Sequence, residues 1–135
     1  MKALQAEDYE ALACFRYPMR KFLSFSKQEL SKAALTPEQY EAILALYVFA
    51  DEGGLNIGQL SERLQVKHHT AVGLVAKLVA RGLLSRRAGK SDRRQVFLQL
   101  TESGMRLLAE VAPAHREKMR QLSAEMIGAL VRLQK

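Results

Sequence analysis

Cysteine is nearly absent: Cys14 is the only one in 135 residues. No disulfide can close within the chain, and a reducing compartment fits. No stretch approaches the roughly 18 apolar residues of a membrane span, so no membrane partner is expected. The opening residues, MKALQAEDYEALACF, turn acidic early and lack a long apolar run, unlike a secretory signal. A cytoplasmic location is expected. The groupings that do chemistry are missing too. There is no nucleophile–base constellation, no glycine-rich phosphate cradle and no metal-ligand spacing. The sequence therefore reads as no enzyme, with no cofactor and no metal. His68 and His69 are neighbours about 100° apart on a helix, so they cannot chelate as an i, i+4 pair. His115 stands alone after Pro113 and is expected at the surface or an interface. Internal repeats and low-complexity tracts are also absent.

What the chain does have is positive charge in one place. The formal net charge is +7, and apolar residues at 48% with charged residues at 26% mark a globular chain. Residues 56–94 carry nine cations and two anions, a net +7 of their own, whereas residues 35–55 are net −4. Residues 1–34 and 95–135 are each net +2. A merely soluble basic protein would spread its excess; this focusing favours an anionic partner.

The hydrophobic periods predict the elements. Leu12, Phe15, Met19, Phe22, Leu23 and Leu30 recur at threes and fours over residues 7–33, with Ser26 filling one step. Pro18 should kink or break that helix near Tyr17. Thr36-Pro37-Glu38-Gln39 starts a second helix, with a cap, a proline at the first position and a capping box. Asp51-Glu52-Gly53-Gly54 ends it. Asn56, with Gln59 three residues on, caps a third helix. A fourth spans about His68 to Arg81, with Ala71, Leu74, Val75 and Leu78 inward and Gly82 as a left-handed stop. Leu83–Arg87 and Gln95–Leu100 are strands, the second alternating Val96, Leu98, Leu100 against Gln95, Phe97, Gln99. Thr101 caps a further helix, which Pro113 interrupts or restarts. The segment at about 114–133 carries an apolar stripe of Met119, Leu122, Met126, Ile127, Leu130 and Leu133. Met105, Met119 and Met126 suit a core or dimer seam, and Tyr9, Tyr17, Tyr40 and Tyr47 read as packing residues. The fold class is mainly α with a small β-hairpin wing (α+β), a winged helix-turn-helix flanked by terminal helices.

That order has a function. With Ala71, Leu74, Val75 and Leu78 inward, the fourth helix turns His68, His69, Thr70, Val72, Gly73 and Lys77 outward, with Lys67 just ahead of it. The first turns of such a helix meet base edges in the major groove. The imidazoles and the hydroxyl can hydrogen-bond there, Val72 can touch a thymine methyl, and Gly73 admits close approach. The hairpin segment RRAGKSDRR, residues 86–94, holds five cations and one anion. Arg86, Arg87, Lys90, Arg93 and Arg94 can straddle a phosphate backbone, and a tip arginine can enter the minor groove. Arg94 is the first candidate for that insertion and Arg93 the second. Asp92 opposes phosphate unless it braces an arginine, either Arg94 or Arg86.

The segment DRRQVFLQLT resembles the D-x-R-x-x-x-(V/L)-x-L-T pattern of MarR transcriptional regulators at Asp92, Arg94, Leu98, Leu100 and Thr101. LTPEQY, LSERLQV, LVAKLVARGLLSRR and LTESG match the family's context, so the resemblance covers about residues 36–104. Lys67-His68-His69 departs from it, since many relatives have a serine cap and small residues there. The resemblance implies one MarR-like domain over residues 1–135, with a DNA-binding lobe at 36–104 and dimerisation helices at 1–35 and 105–135. It implies a homodimeric repressor or activator of transcription, released by a small anionic or phenolic effector or by an oxidant. A ligand pocket is expected near Phe22, Phe25, Tyr40 and Tyr47. Some organic-hydroperoxide sensors of the family carry a reactive cysteine on the first helix. Cys14 lies on that helix with Tyr17 close by, and Arg16 and Arg20 could lower its pKa; a lone helical cysteine also suits a small core position.

The long apolar stripes of the terminal segments independently ask for a two-fold partner. Two recognition helices about 34–36 Å apart would then read a near-palindromic double-stranded operator. A winged-helix module docking an acidic protein would use the same basic face.

Overall fold

The computed structural model describes residues 2–89, 92 and 94–135, apart from the side chain of Glu52. The elements among them are α1 (Ala6–Ser31), α2 (Pro37–Val48), a 3-10 turn (Ala50–Glu52), α3 (Ile57–Leu64), α4 (His68–Ala80), β1 (Leu84–Ala88), β2 (Val96–Leu100) and α5 (Glu102–Leu133). They fall into two compact units. One comprises the residues up to Ala33 with Ala112–Lys135, and the other Ala34–Val111.

In the first unit α1 pairs antiparallel with the later turns of α5. Glu10 meets Arg132 at 3.8 Å near one end, and Ser26 meets His115 near the other. The buried residues of α5 here are His115, Leu122 and Ala129, one every seven, which keeps a single stripe toward α1. His115, expected at the surface or an interface, is buried within this unit. It is 3% exposed, its Nε2 lies 2.9 Å from the Ser26 hydroxyl, and the rings of Phe22 and Phe25 meet it edge-on. A buried imidazole needs such a partner, because an unpaired polar group in the core is costly.

The proline breaks do not occur. Both α1 and α5 run continuously through Pro18 and Pro113. Each ring removes one amide donor and crowds the carbonyl four residues back, a cost of about 3 kcal/mol. Helices of 26 and 32 residues retain their hydrogen-bonded turns on either side, and Pro18 is itself buried to below 2% exposure.

In the second unit the local signals form as read. Thr36 Oγ1 accepts from the Gln39 amide at 3.1 Å, and the Gln39 side chain accepts from the Thr36 amide at 3.0 Å. Asn56 and Gln59 make the same exchange at 2.8 and 3.0 Å. The α3–α4 turn has no glycine, so Gln65 takes the left-handed position (φ 53°). Its side chain donates to the Glu62 carbonyl at 2.7 Å, offsetting part of that strain. Gly82 (φ 74°) ends α4.

The hairpin pairs Leu84 with Leu100 through Ala88 with Val96. Within the alternating set of β2, Leu98 is fully buried and Val96 is 44% exposed. A feature that no local pattern announced ties the hairpin to the helices: the Leu98 amide donates to the Leu55 carbonyl at 2.7 Å, adding an isolated antiparallel bridge. Thr101 then restarts helix. Its hydroxyl donates to the Gly82 carbonyl at 2.6 Å and accepts from the Gly104 amide at 3.0 Å.

Thr101→Ala removes both bonds and should cost about 1–2 kcal/mol in urea denaturation, whereas a loss below about 0.3 kcal/mol would show that the cap carries little.

Candidate nucleic-acid interface

The burial of α4 is one-sided. Ala71, Val75 and Leu78 are fully buried and Leu74 half-buried. Lys67, His68, His69, Thr70, Val72, Gly73 and Lys77 are all exposed. These are the seven residues assigned to DNA at and after the start of this helix. His69, Thr70, Gly73 and Lys77 line a groove of about 410 Å³ with Thr36, Glu38 and Gln39 of the α2 start. A Cβ on Gly73 would meet nothing within 4 Å, so no contact inside the chain requires glycine there. A glycine inside a helix costs about 1 kcal/mol relative to alanine.

In the wing, Asp92 has a partner. Its Oδ1 accepts from the Arg94 amide at 3.0 Å and from Arg94 Nε at 3.3 Å. The partner is thus Arg94, one of the two arginines expected. The Arg94 side chain is 92% exposed and that of Asp92 39%. The turn closes through Gly89 N–H to the Gln95 carbonyl (2.9 Å) and Gln95 N–H to the Asp92 carbonyl (3.1 Å). Arg86 is exposed on β1. Lys90 and Arg93 lie outside the described residues. Arg87 differs from the other described wing cations: it is half-buried, and its Nη2 donates to the Gly53 carbonyl at 2.7 Å. Sequence reasoning missed that bond because it spans 34 residues and leaves no local pattern.

The candidate ligand residues divide between the units. Phe22 and Phe25 flank His115 in one. In the other, Tyr40 is buried and Tyr47 is 51% exposed on α2. Tyr9 and Tyr17 are each 61% exposed, so of the four tyrosines read as packing residues only Tyr40 is buried within the single chain. Cys14 is a half-buried free thiol in a groove of about 540 Å³, beside Tyr17, Glu125 and Arg132. Among the described residues no three metal-ligating side chains converge, and no helix is long and apolar enough to cross a membrane.

Acid is present on α2 as well, where Glu38 lines the groove beside α4. Partial burial holds the Glu41 carboxyl above its usual 4.5, and the Glu38 carboxylate raises it further. A raised carboxyl favours the fold in its protonated form. Its contribution is full below the ordinary value and is lost as pH climbs through the folded one. Glu41→Gln should therefore raise Tm at pH 7 and leave it unchanged near pH 4 by calorimetry; an equal shift at both would point to packing instead.

A MarR family model matches residues 35–95. The HTH-type transcriptional repressor NicR of Pseudomonas putida is 30% identical over 115 residues, covering 85% of this chain and 68% of NicR. The HTH-type transcriptional regulator MhqR of Bacillus subtilis is 29% identical over 103 residues, covering 76% of this chain; the chain spans 66% of MhqR, just under two thirds. Among solved structures, S. aureus MepR in its DNA-binding conformation superposes with a TM-score of 0.75 at 25% identity, over 87% of this chain and 83% of MepR. CouR from Rhodococcus jostii RHA1, bound to p-coumaroyl-CoA, shares the fold (TM-score 0.75, 23% identity, 87% and 81% covered). With its helix-turn-helix, its hairpin wing and these relatives, the chain belongs to the MarR family of DNA-binding transcriptional regulators.

Proposed function

We propose that this chain is a cytoplasmic, homodimeric repressor that reads a near-palindromic double-stranded operator and is released by a small ligand. The observation that carries the DNA reading is the one-sided burial of α4 beside a wing whose exposed Arg94 is held by Asp92. His68, His69, Thr70, Val72 and Gly73 would meet base edges in the major groove. Lys67, Lys77, Arg86, Lys90 and Arg93 would meet phosphate, and Arg94 would enter the minor groove. Asp92 would limit the conformations Arg94 must give up on binding, which is why an anion is tolerated in a phosphate-facing loop.

Exposed apolar surface supports the dimer. Leu4, Tyr9, Leu12, Leu23, Ile127, Leu130, Val131 and Leu133 are each 39% exposed or more, on the segments assigned to dimerisation (1–35 and 105–135). A two-fold interface between copies would cover these side chains. Ile127→Glu should shift sedimentation from dimer to monomer; a dimer of unchanged stability would place the interface elsewhere.

Two lines support an effector. CouR is solved with p-coumaroyl-CoA bound, and a neighbouring structure describes regulation of BpsR DNA binding by 6-hydroxynicotinic acid. Phe22, Phe25, Tyr40 and Tyr47 are the aromatic residues assigned to such a ligand. The half-buried thiol of Cys14 beside Tyr17 favours a second trigger, peroxide. Peroxide should then release DNA from the parent and not from Cys14→Ser.

The DNA reading is tested by salt. Each phosphate neutralised contributes about −0.9 to the log–log slope of affinity against salt, and Arg94→Ala should lose about 1–3 kcal/mol of specific binding. Parental affinity for that variant would remove Arg94 from the interface, and no binding to any duplex at low salt would favour an acidic protein as the partner.

A further inference from the structure

Arg87 carries a wing charge but sits apart from the other described wing cations. Its Nη2 donates to the Gly53 carbonyl at 2.7 Å, and its guanidinium carbon lies 5.9 Å from the centroid of the Phe97 ring. Phe97 is its cross-strand partner in the hairpin register. Its Nε is buried with no hydrogen-bond partner among the described residues. A cation that meets phosphate keeps its fork in solvent, as Arg94 does.

The surface that receives Arg87 is bare backbone. Gly53 and Gly54 both have φ of 91°, a region that side chains disfavour. A Cβ on Gly53 would stand 2.8 Å from Arg87 Nη2, and a Cβ on Gly54 would collide with the Leu98 carbonyl. The turn before α3 thus lacks side chains where Arg87 Nη2 and the Leu98 carbonyl approach it.

We infer that Arg87 is a positioning residue for DNA reading: it clamps the wing to the Gly53-Gly54 turn and so sets where Arg94 is presented. A two-stranded hairpin is marginal by itself and needs fastening. The Leu98–Leu55 bond is one fastening. Arg87 supplies a second, one residue pair from the end of the ladder at Ala88 and Val96. The guanidinium suits this task because one planar group can donate a hydrogen bond and lie against a ring at the same time. The inference rests on the reading that Arg94 makes the wing's groove contact.

The test is a salt series with the full chain on a duplex selected from a random library, comparing the parent with R87A, R87K, R94A, R87A/R94A and Gly53→Ala. R94A should weaken binding and lower the slope by about 0.9 if it also neutralises a phosphate. R87A should weaken binding about tenfold at every salt concentration, the scale of one charge-assisted bond, with the parental slope. R94A should cost less in the R87A background than alone, because an unfastened tip no longer delivers that arginine. R87K should recover part of the loss, since an ammonium can reach the carbonyl but lacks the planar face. Gly53→Ala keeps every charge but strains the turn at φ 91° as well as meeting Arg87 Nη2, so it should weaken binding at the parental slope with a lowered Tm. R87K, which leaves the turn untouched, keeps the test readable if R87A folds poorly. A slope reduced by about 0.9 in R87A would make Arg87 a direct phosphate contact and overturn the inference. So would full additivity of R87A with R94A. A loss with R94A but none with R87A overturns this inference alone, whereas a silent R94A overturns the wing reading and this inference with it.

Discussion

The hairpin is fastened to the helices at Leu98, and the geometry of the winged unit depends on that bond. Two strands joined by a basic turn have little stability of their own. The Leu98 amide reaches the Leu55 carbonyl across the unit, and the Leu98 side chain is fully buried. Gly54 lets the two backbones approach, because any Cβ there would strike the Leu98 carbonyl. From this point the hairpin is referred to α3, and α3 packs against α4. A displacement at Leu98 would move the wing relative to the helix whose outer face carries His68, His69 and Thr70.

Charges of one sign do different work in this small region. Arg94 is solvent-exposed and held by Asp92, and Arg87 is half-buried and bonded to a carbonyl. The net charge of residues 56–94 describes the field that an approaching polyanion meets, yet it does not say which cations meet it. Packing decides that. An arginine held against a ring and a carbonyl defines shape, and one left in water is available to a phosphate or a groove. The acids of α2 have their own effect, since partial burial and mutual repulsion oppose the charge on Glu41.

The features legible in the sequence were those written within four residues of each other. The boxes at Thr36–Gln39 and Asn56–Gln59, the stop at Gly82, the inward stripe of α4 and the cap at Thr101 all formed. Each is a local exchange of hydrogen bonds or a single helical face. What was not legible joins distant segments. The Arg87–Gly53 bond spans 34 residues and the Ser26–His115 pair 89. The Leu55–Leu98 bridge belongs with them. The breaks considered at Pro18 and Pro113 did not occur, because long helices keep hydrogen-bonded turns on either side of each ring. Tyr9 and Tyr17 were assigned to packing by type, but they are exposed within the single chain.

Whether α4 and the wing read DNA together in a two-fold arrangement is decided by selecting bound duplexes from a random library with the parental chain. The expected result is enrichment of an inverted repeat whose half-site centres lie about one helical turn apart, roughly 10–10.5 base pairs or a multiple of that, as two recognition helices on a dyad require. Enrichment of a single unrepeated site, or no enrichment at all, would contradict it.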